Sequence, residues 1–150
     1  MSLGADWLTT HLPHQGRMCL LECVLDWDAE HIRCLCTGHR DLAHPLRWEG
    51  RLGIAAGIEL ASQAMAAHGA LTTSRSEARA RFGLLASLRS VKFEVVRLDD
   101  IADDLICSAR RLASDDRTAL YEFSVGAAER RLLAGRATVV LDADAAGAYR

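Results

Sequence analysis

Apolar and polar positions change their spacing three times along the chain, and each change predicts a different element. Trp7, Leu8 and Leu12 give the start an amphipathic character that ends at the Leu12-Pro13-His14 break. Residues 18–27 form a mixed apolar run rich in β-compatible side chains and predict a strand. Asp28-Ala29-Glu30 then predicts a turn, and Ile32, Cys34 and Cys36 alternate with His31, Arg33 and Leu35, so the two runs pair as a hairpin. A polar loop containing Pro45 occupies 38–50, a setting in which functional residues often stand.

Residues 53–68 carry a different signal. Ala55, Ala56, Gly57, Ala61, Ala64, Ala66 and Ala67 make the segment small on nearly every face, while Ile54, Ile58, Leu60 and Met65 supply bulk. A helix that is apolar all round is a buried one. Gly69 is expected to end it as a C-terminal cap, before a polar stretch over 72–81. Beyond that, Val91, Phe93 and Val95 alternate against Lys92 and Glu94, and further strands are predicted at 105–112, 121–125 and 132–141. Ser114-Asp115-Asp116 and Gly126-Ala127-Ala128 supply the turns. A hairpin, one long buried helix and about four more antiparallel strands are most simply arranged as a curved sheet wrapped round the helix. The predicted class is therefore α+β with a hot-dog fold, as a single domain over residues 1–150.

Composition narrows the function. Half of the 150 residues are apolar and the formal net charge is −2, which argues against a nucleic-acid binder, whose domain pI usually exceeds about 9. Lys92 is the only lysine, so the remaining cations are arginines, suited to bidentate carboxylate or phosphate contacts. Cys19, Cys23, Cys34, Cys36 and Cys107 lack zinc-site spacing and no secretory signal is seen, so they are expected to act as small apolar residues in a reducing cytoplasm. The most apolar stretch contains Glu59 and Gln63, which predicts a soluble protein and no membrane partner.

Glu59 is the residue of chemical interest. A carboxyl carried by a buried helix loses hydration, which favours its neutral, proton-donating form. Gln63, one turn further on the same face, is placed to hydrogen-bond and orient it. Four histidines, His11, His14, His39 and His44, precede the helix. His44 is the first choice as a base because Pro45 restrains its backbone, with His39 second at the Gly38-His39 turn; a structural role is expected for His14, and a helix-end contact for His68. His39-Arg40-Asp41-Leu42 copies the start of a kinase catalytic loop by chance, since nothing else of that signature follows. Gly50, Gly53 and Gly57 do not have phosphate-loop spacing, and Gly53-x-x-x-Gly57 suits close packing of a helix.

Leu12-Pro13-His14, Met18-Cys19-Leu20-Leu21-Glu22, Ala43-His44-Pro45-Leu46-Arg47 and 57–66 around Glu59 and Gln63 together resemble the 3-hydroxyacyl-[acyl-carrier-protein] dehydratases, most of all the branch associated with aryl-polyene clusters. The Glu-x-x-x-Gln among small residues is the most specific part. The resemblance implies a pair of subunits, homodimeric or heterodimeric, whose His and acid flank a tunnel for an acyl chain on phosphopantetheine. It implies that His44 takes a proton from C2 while Glu59 protonates the departing C3 hydroxyl, to give the trans-2-enoyl thioester. Backbone N–H groups around Gly53 would hold the thioester oxygen, Gln63 would sit in the substrate site, and no metal or redox cofactor is required. Where the fatty-acid enzymes have Gly-His-Phe-Pro, this chain has Ala43-His44-Pro45-Leu46. That departure motivates one alternative, a noncatalytic subunit that pairs with a catalytic dehydratase; an acyl thioesterase is the other. Arg47, Arg51, Arg75, Arg79, Arg81 and Arg89 are candidate contacts for an acidic carrier protein.

Overall fold

The computed structural model describes residues 2–12, 16–72 and 83–141. Its elements in chain order are α1 (Ala5–His11), β1 (Cys23–Trp27), β2 (His31–Cys36), α2 (Ala56–Thr72), β3 (Gly83–Phe93), β4 (Leu105–Ser114), β5 (Thr118–Ala127) and β6 (Arg130–Leu141). The six strands form one sheet in the order β1-β2-β4-β5-β6-β3, with every neighbouring pair antiparallel. The long helix α2 packs across β2, β4 and β5. This is the helix-in-sheet architecture of the hot-dog fold.

Period-two alternation decides which strand residues meet the helix. Ile32, Cys34 and Cys36 from β2, Leu105 and Cys107 from β4, and Tyr121, Phe123 and Val125 from β5 are buried against Leu60, Ala61, Ala64 and Ala67 of α2. The small helix residues allow a short separation. At Gly57 the space that a Cβ would need is already filled by the side chains of Leu133 and Leu98. Cys34, Cys36 and Cys107 are free thiols inside this core, and burial pushes the Cys34 thiol well up, which suits packing and not reactivity.

The structure corrects several boundaries. β1 starts only at Cys23, because Gly16–Met18 is a 3₁₀ turn and 18–20 is held by the Gln63 side chain instead of a neighbouring strand. α2 begins at Ala56, three residues later than the pattern suggested. Gly53 bridges to Arg97 there, with Ile54 N–H donating to the Val96 carbonyl and Leu98 N–H to that of Leu52. β3 starts well before Val91, and Ser90 at φ 55° breaks its alternation between Arg89 and Lys92. The β5–β6 reversal falls at 128–129 and not at 126–128, with Ala128 at φ 53°.

The far end of the helix is also different. Gly69 does not end α2, which continues to Thr72. The Thr72 hydroxyl donates to the His68 carbonyl at 2.8 Å, and Arg111 Nη1 donates to the same hydroxyl at 3.2 Å, fastening the last turn to β4. His68 is not a helix-end contact but fully buried. Its Nε2–H donates to the Asp28 carbonyl at 2.9 Å and its Nδ1 accepts the Tyr121 hydroxyl at 2.8 Å, tying α2 to both the β1–β2 turn and β5. Both ring nitrogens are therefore committed in the neutral form.

Burial, more than any charge nearby, holds the His68 pKa below the usual imidazole value, and it also lowers that of His44. Protons taken up by the unfolded chain below about pH 6.5 thus favour unfolding. His31, raised by Asp28 and Asp26, works in the opposite sense but is largely solvated. The urea midpoint is expected to fall as pH drops from about 7 to 5, and the slope should flatten in His68→Gln, which itself costs about 1–3 kcal/mol. An unchanged slope in that variant would show that His68 is not the group responsible.

Candidate active site

The site is built from the entry to α2. Glu59 stands in the helix's first turn, not its middle, and is half-buried instead of sealed from water. Gln63 follows one turn later and is fully buried. Its amide nitrogen donates to Glu59 Oε1 at 3.2 Å and to the Met18 carbonyl at 2.6 Å, while its carbonyl oxygen accepts the Leu20 N–H at 2.8 Å. Gln63 thereby orients the carboxyl and draws segment 18–20 over the helix. An open cavity of about 470 Å³ lies on the exposed side of this arrangement, lined by Met18, Leu46, Gly53, Ala55, Ala56 and Glu59. Glu59 and Gly53 are thus brought together on one cavity; Gln63 acts from behind the carboxyl.

Backbone geometry limits which amides face that cavity. The N–H groups of Ala56, Gly57 and Ile58 donate to Gly53, Ile54 and Ala55 carbonyls, and that of Ile54 to Val96. The bridge to Arg97 is closed by the residues flanking Gly53, so Gly53 turns its own N–H away from that segment. The first turn of α2 adds the partial positive charge of a helix start.

His44 is half-buried in the loop before α2 and does not line this cavity. Its Nδ1 accepts the Leu46 N–H at 3.1 Å, so the neutral ring carries its proton on Nε2. Burial and, next, the Arg47 guanidinium lower its pKa, so the ring is neutral near pH 7. His39 is buried, with Nε2 donating to the Ile101 carbonyl at 2.9 Å and Nδ1 without a hydrogen-bond partner among the described residues. It serves as an anchor between the loop and 101–102, beside which Arg40 also bonds the Ala102 carbonyl. His14, Arg75, Arg79 and Arg81 lie outside the described residues.

Arg47 is the surprise of this loop. Expected as a surface contact, its side chain is only 10% exposed, while Arg51 and Arg89 are exposed. It donates to the carbonyls of Asp41 at 2.7 Å, Gly50 at 3.0 Å and His39 at 3.5 Å, and lies 3.7 Å from Asp99. The Arg97 guanidinium beside Asp99 holds that carboxyl well below the usual range, and Asp99 also accepts the Leu52 N–H at 3.0 Å. One arginine therefore folds 39–50 back on itself and docks it against 97–99. Periodicity has no signal for such wiring, since Arg47 and Asp99 both sit in irregular segments. A two-residue turn at Glu49 and Gly50, both with positive φ, completes the loop and leaves Trp48 78% exposed.

Comparison with known proteins gives the family and the fold. The ApeP-like family model, described as ApeP dehydratase, matches residues 8–149, so the chain belongs to that family. Among solved structures it is similar to the dehydratase heterocomplex ApeI:P from Xenorhabdus doucetiae, with a TM-score of 0.79, 26% identity and 90% of each chain covered. AziG of S. sahachiroi aligns with a TM-score of 0.58 and 14% identity over 79% of this chain and 88% of that one. A mutant thioesterase from Pseudomonas aeruginosa aligns at 0.59 and 13% over 80% and 79%. These last two show the shared hot-dog fold. No curated protein matches the sequence significantly. Among the described residues no helix is long and apolar enough to cross a membrane.

Replacing Arg47 by Met is expected to cost about 2–3 kcal/mol through the unsatisfied loop carbonyls. It should also raise the His44 pKa, because a lowering charge is gone, as followed by the imidazole C2–H shift in NMR. A His44 titration identical to wild type would show that Arg47 does not act on that ring.

Proposed function

We propose that this ApeP-like protein removes water from a 3-hydroxyacyl thioester carried on the phosphopantetheine of an acyl carrier protein, leaving the trans-2-enoyl thioester. The observation that carries the reading is the Glu59 carboxyl, oriented by buried Gln63 on the wall of an open cavity in a chain of a dehydratase family. In the reaction a base takes the C2 proton, the C2–C3 double bond forms, and Glu59 gives its proton to the C3 hydroxyl, which leaves as water. The Gly53 N–H, which points away from 96–98, would donate to the thioester oxygen as it gathers charge. Proton transfer of this kind calls for no metal or redox cofactor.

His44 is the proposed base although it does not line the Glu59 cavity of its own chain, and its hydrogen bonding adds a condition. Its Nε2 must give up its proton to act, so the Leu46 N–H contact to Nδ1 has to be released first. That condition favours a second reading, in which this chain shapes or completes the site of a second hot-dog subunit that supplies the base. Either way the working unit is a pair. α2 leaves the core-side face of β3 uncovered, and Leu85, Leu88 and Phe93 there are 38%, 38% and 49% exposed on an edge strand. Unpaired edges of this kind invite another strand. The ApeI:P structure is itself described as a heterocomplex.

Mass spectrometry of 3-hydroxyacyl-carrier-protein tests the chemistry. Loss of one water is expected with the wild-type pair, with Glu59→Gln slowed at least about 100-fold. A His44→Ala variant with full activity would move the base to the partner subunit. Release of free thiol without enoyl product would instead make the protein a thioesterase.

The pairing has its own check. Leu88→Asp with Phe93→Asp is expected to weaken association more than about 10-fold by removing two half-buried contacts, seen by sedimentation of the chain with and without its second subunit. Unchanged association would place the interface elsewhere.

A further inference from the structure

The face of the sheet turned away from α2 carries a second built hollow, independent of the chemistry assigned to Glu59. Strand register explains its shape. Arg33, Ser108, Ser124 and Ala134 are successive cross-strand partners on β2, β4, β5 and β6, so a row of short side chains crosses the sheet beside the long Arg33. The adjoining row is His31, Arg110, Glu122 and Arg136. On the other side Ile106 pairs with Gly126, which pairs with Arg131. Long cationic walls around a short hydroxyl-bearing floor leave a trough of about 430 Å³, continuous through Arg33, Ser108, Ser124 and Arg131 with a second depression of about 320 Å³.

Its charge runs against that of the molecule. The chain has a formal net charge of −2, yet the trough is lined by four arginines and one carboxylate. Arg33 is 3.5 Å from Asp26 and Arg110 is 3.6 Å from Glu122, whereas Arg131 and Arg136 make no ion pair among the described residues. Glu122 is the cross-strand partner of both Arg110 and Arg136, so a single carboxylate serves two arginines of this row. The floor hydroxyls of Ser108 and Ser124 are half-buried.

We propose that this trough binds a phosphate-bearing small molecule, with the phosphate between Arg131 and Arg136 and the Ser108 and Ser124 hydroxyls donating from below. Guanidinium forks match phosphate oxygens in pairs, and recessed hydroxyls add directed donors. The size favours a small ligand over an acidic protein: the volume falls in the range of small-molecule sites, about 300–1,000 Å³. A protein surface laid over the arginines would not reach the serine floor. Nothing in the argument uses Glu59, so failure of the dehydratase reading would leave it standing.

The probe is adenosine monophosphate, a phosphomonoester with an organic body, titrated into the full chain at about 0.15 M salt, where loose surface attraction is screened. Saturable ¹H–¹⁵N shifts are expected at Ser108, Ser124 and Ala134, with adenosine alone giving none. Arg131→Gln with Arg136→Gln should weaken binding at least about 10-fold, the effect of losing one charge-assisted contact. Ser124→Val, which keeps both arginines, should weaken it by a smaller factor. The proposal is overturned if no saturation is reached by about 10 mM, well above the millimolar binding that marks a weak site. It is equally overturned if both variants bind as wild type does, or if only a polyglutamate peptide binds, which would make the face a docking surface for an acidic macromolecule.

Discussion

Leu133 and Leu98 occupy the space beside Gly57, so the first turns of α2 lie against the sheet with no room for a side chain between them. The position of everything at that end of the helix follows from this contact. With α2 seated so closely, Glu59 projects to the one side of the first turn that the sheet does not cover, and Gln63 is left wholly inside. A buried amide must find partners for its donors and acceptor. It finds them in Met18, Leu20 and Glu59, which is why segment 18–20 abandons the strand it was expected to form. A larger residue at 57 would lift the helix and disconnect the carboxyl, the amide and the N-terminal segment together.

A second device shapes the other wall. Residues 38–50, between β2 and α2, have no fully buried apolar side chain, yet the segment is held by Arg47 through three of its own carbonyls and by Asp99 across the gap. Backbone carbonyls that would otherwise be turned to water are thereby satisfied by one cation. The same cation lies near the His44 ring and, with burial, keeps it uncharged. Loop geometry and imidazole charge state are therefore linked through a single side chain.

The alternating strands, the α+β class and the pairing of Glu59 with Gln63 were legible because they rest on local periodicity and on i, i+4 spacing, which tertiary packing reinforced. Boundaries were less so. The start of α2 was displaced by a bridge to 96–98, and its end was carried past Gly69 by the bonds of Tyr121 to His68 and of Arg111 to Thr72, pairs 53 and 39 residues apart in sequence. Likewise, the burial of Arg47 depends on Asp99 and on loop carbonyls, neither of which leaves a pattern in the chain. The trough on the opposite face was invisible for a related reason: its arginines come from β2, β4 and β6, and only the register makes them neighbours.

The sheet order makes the remaining asymmetry intelligible. α2 packs mainly on β2, β4 and β5, so among the described residues the strand at the far edge, β3, keeps Leu85, Leu88 and Phe93 exposed. A chain that needed only to fold would have reason to place polar residues at 85, 88 and 93, since each partly exposed apolar side chain forgoes about 0.5–1.5 kcal/mol of burial. Retaining Leu85, Leu88 and Phe93 is understandable if that face is completed from outside, and the exposed Leu42, Trp48 and Val96 on the segments beside Gly53 fit the same requirement. On the proposed reading this chain builds the acid and its support, and a second subunit covers the apolar surface that the sheet leaves bare.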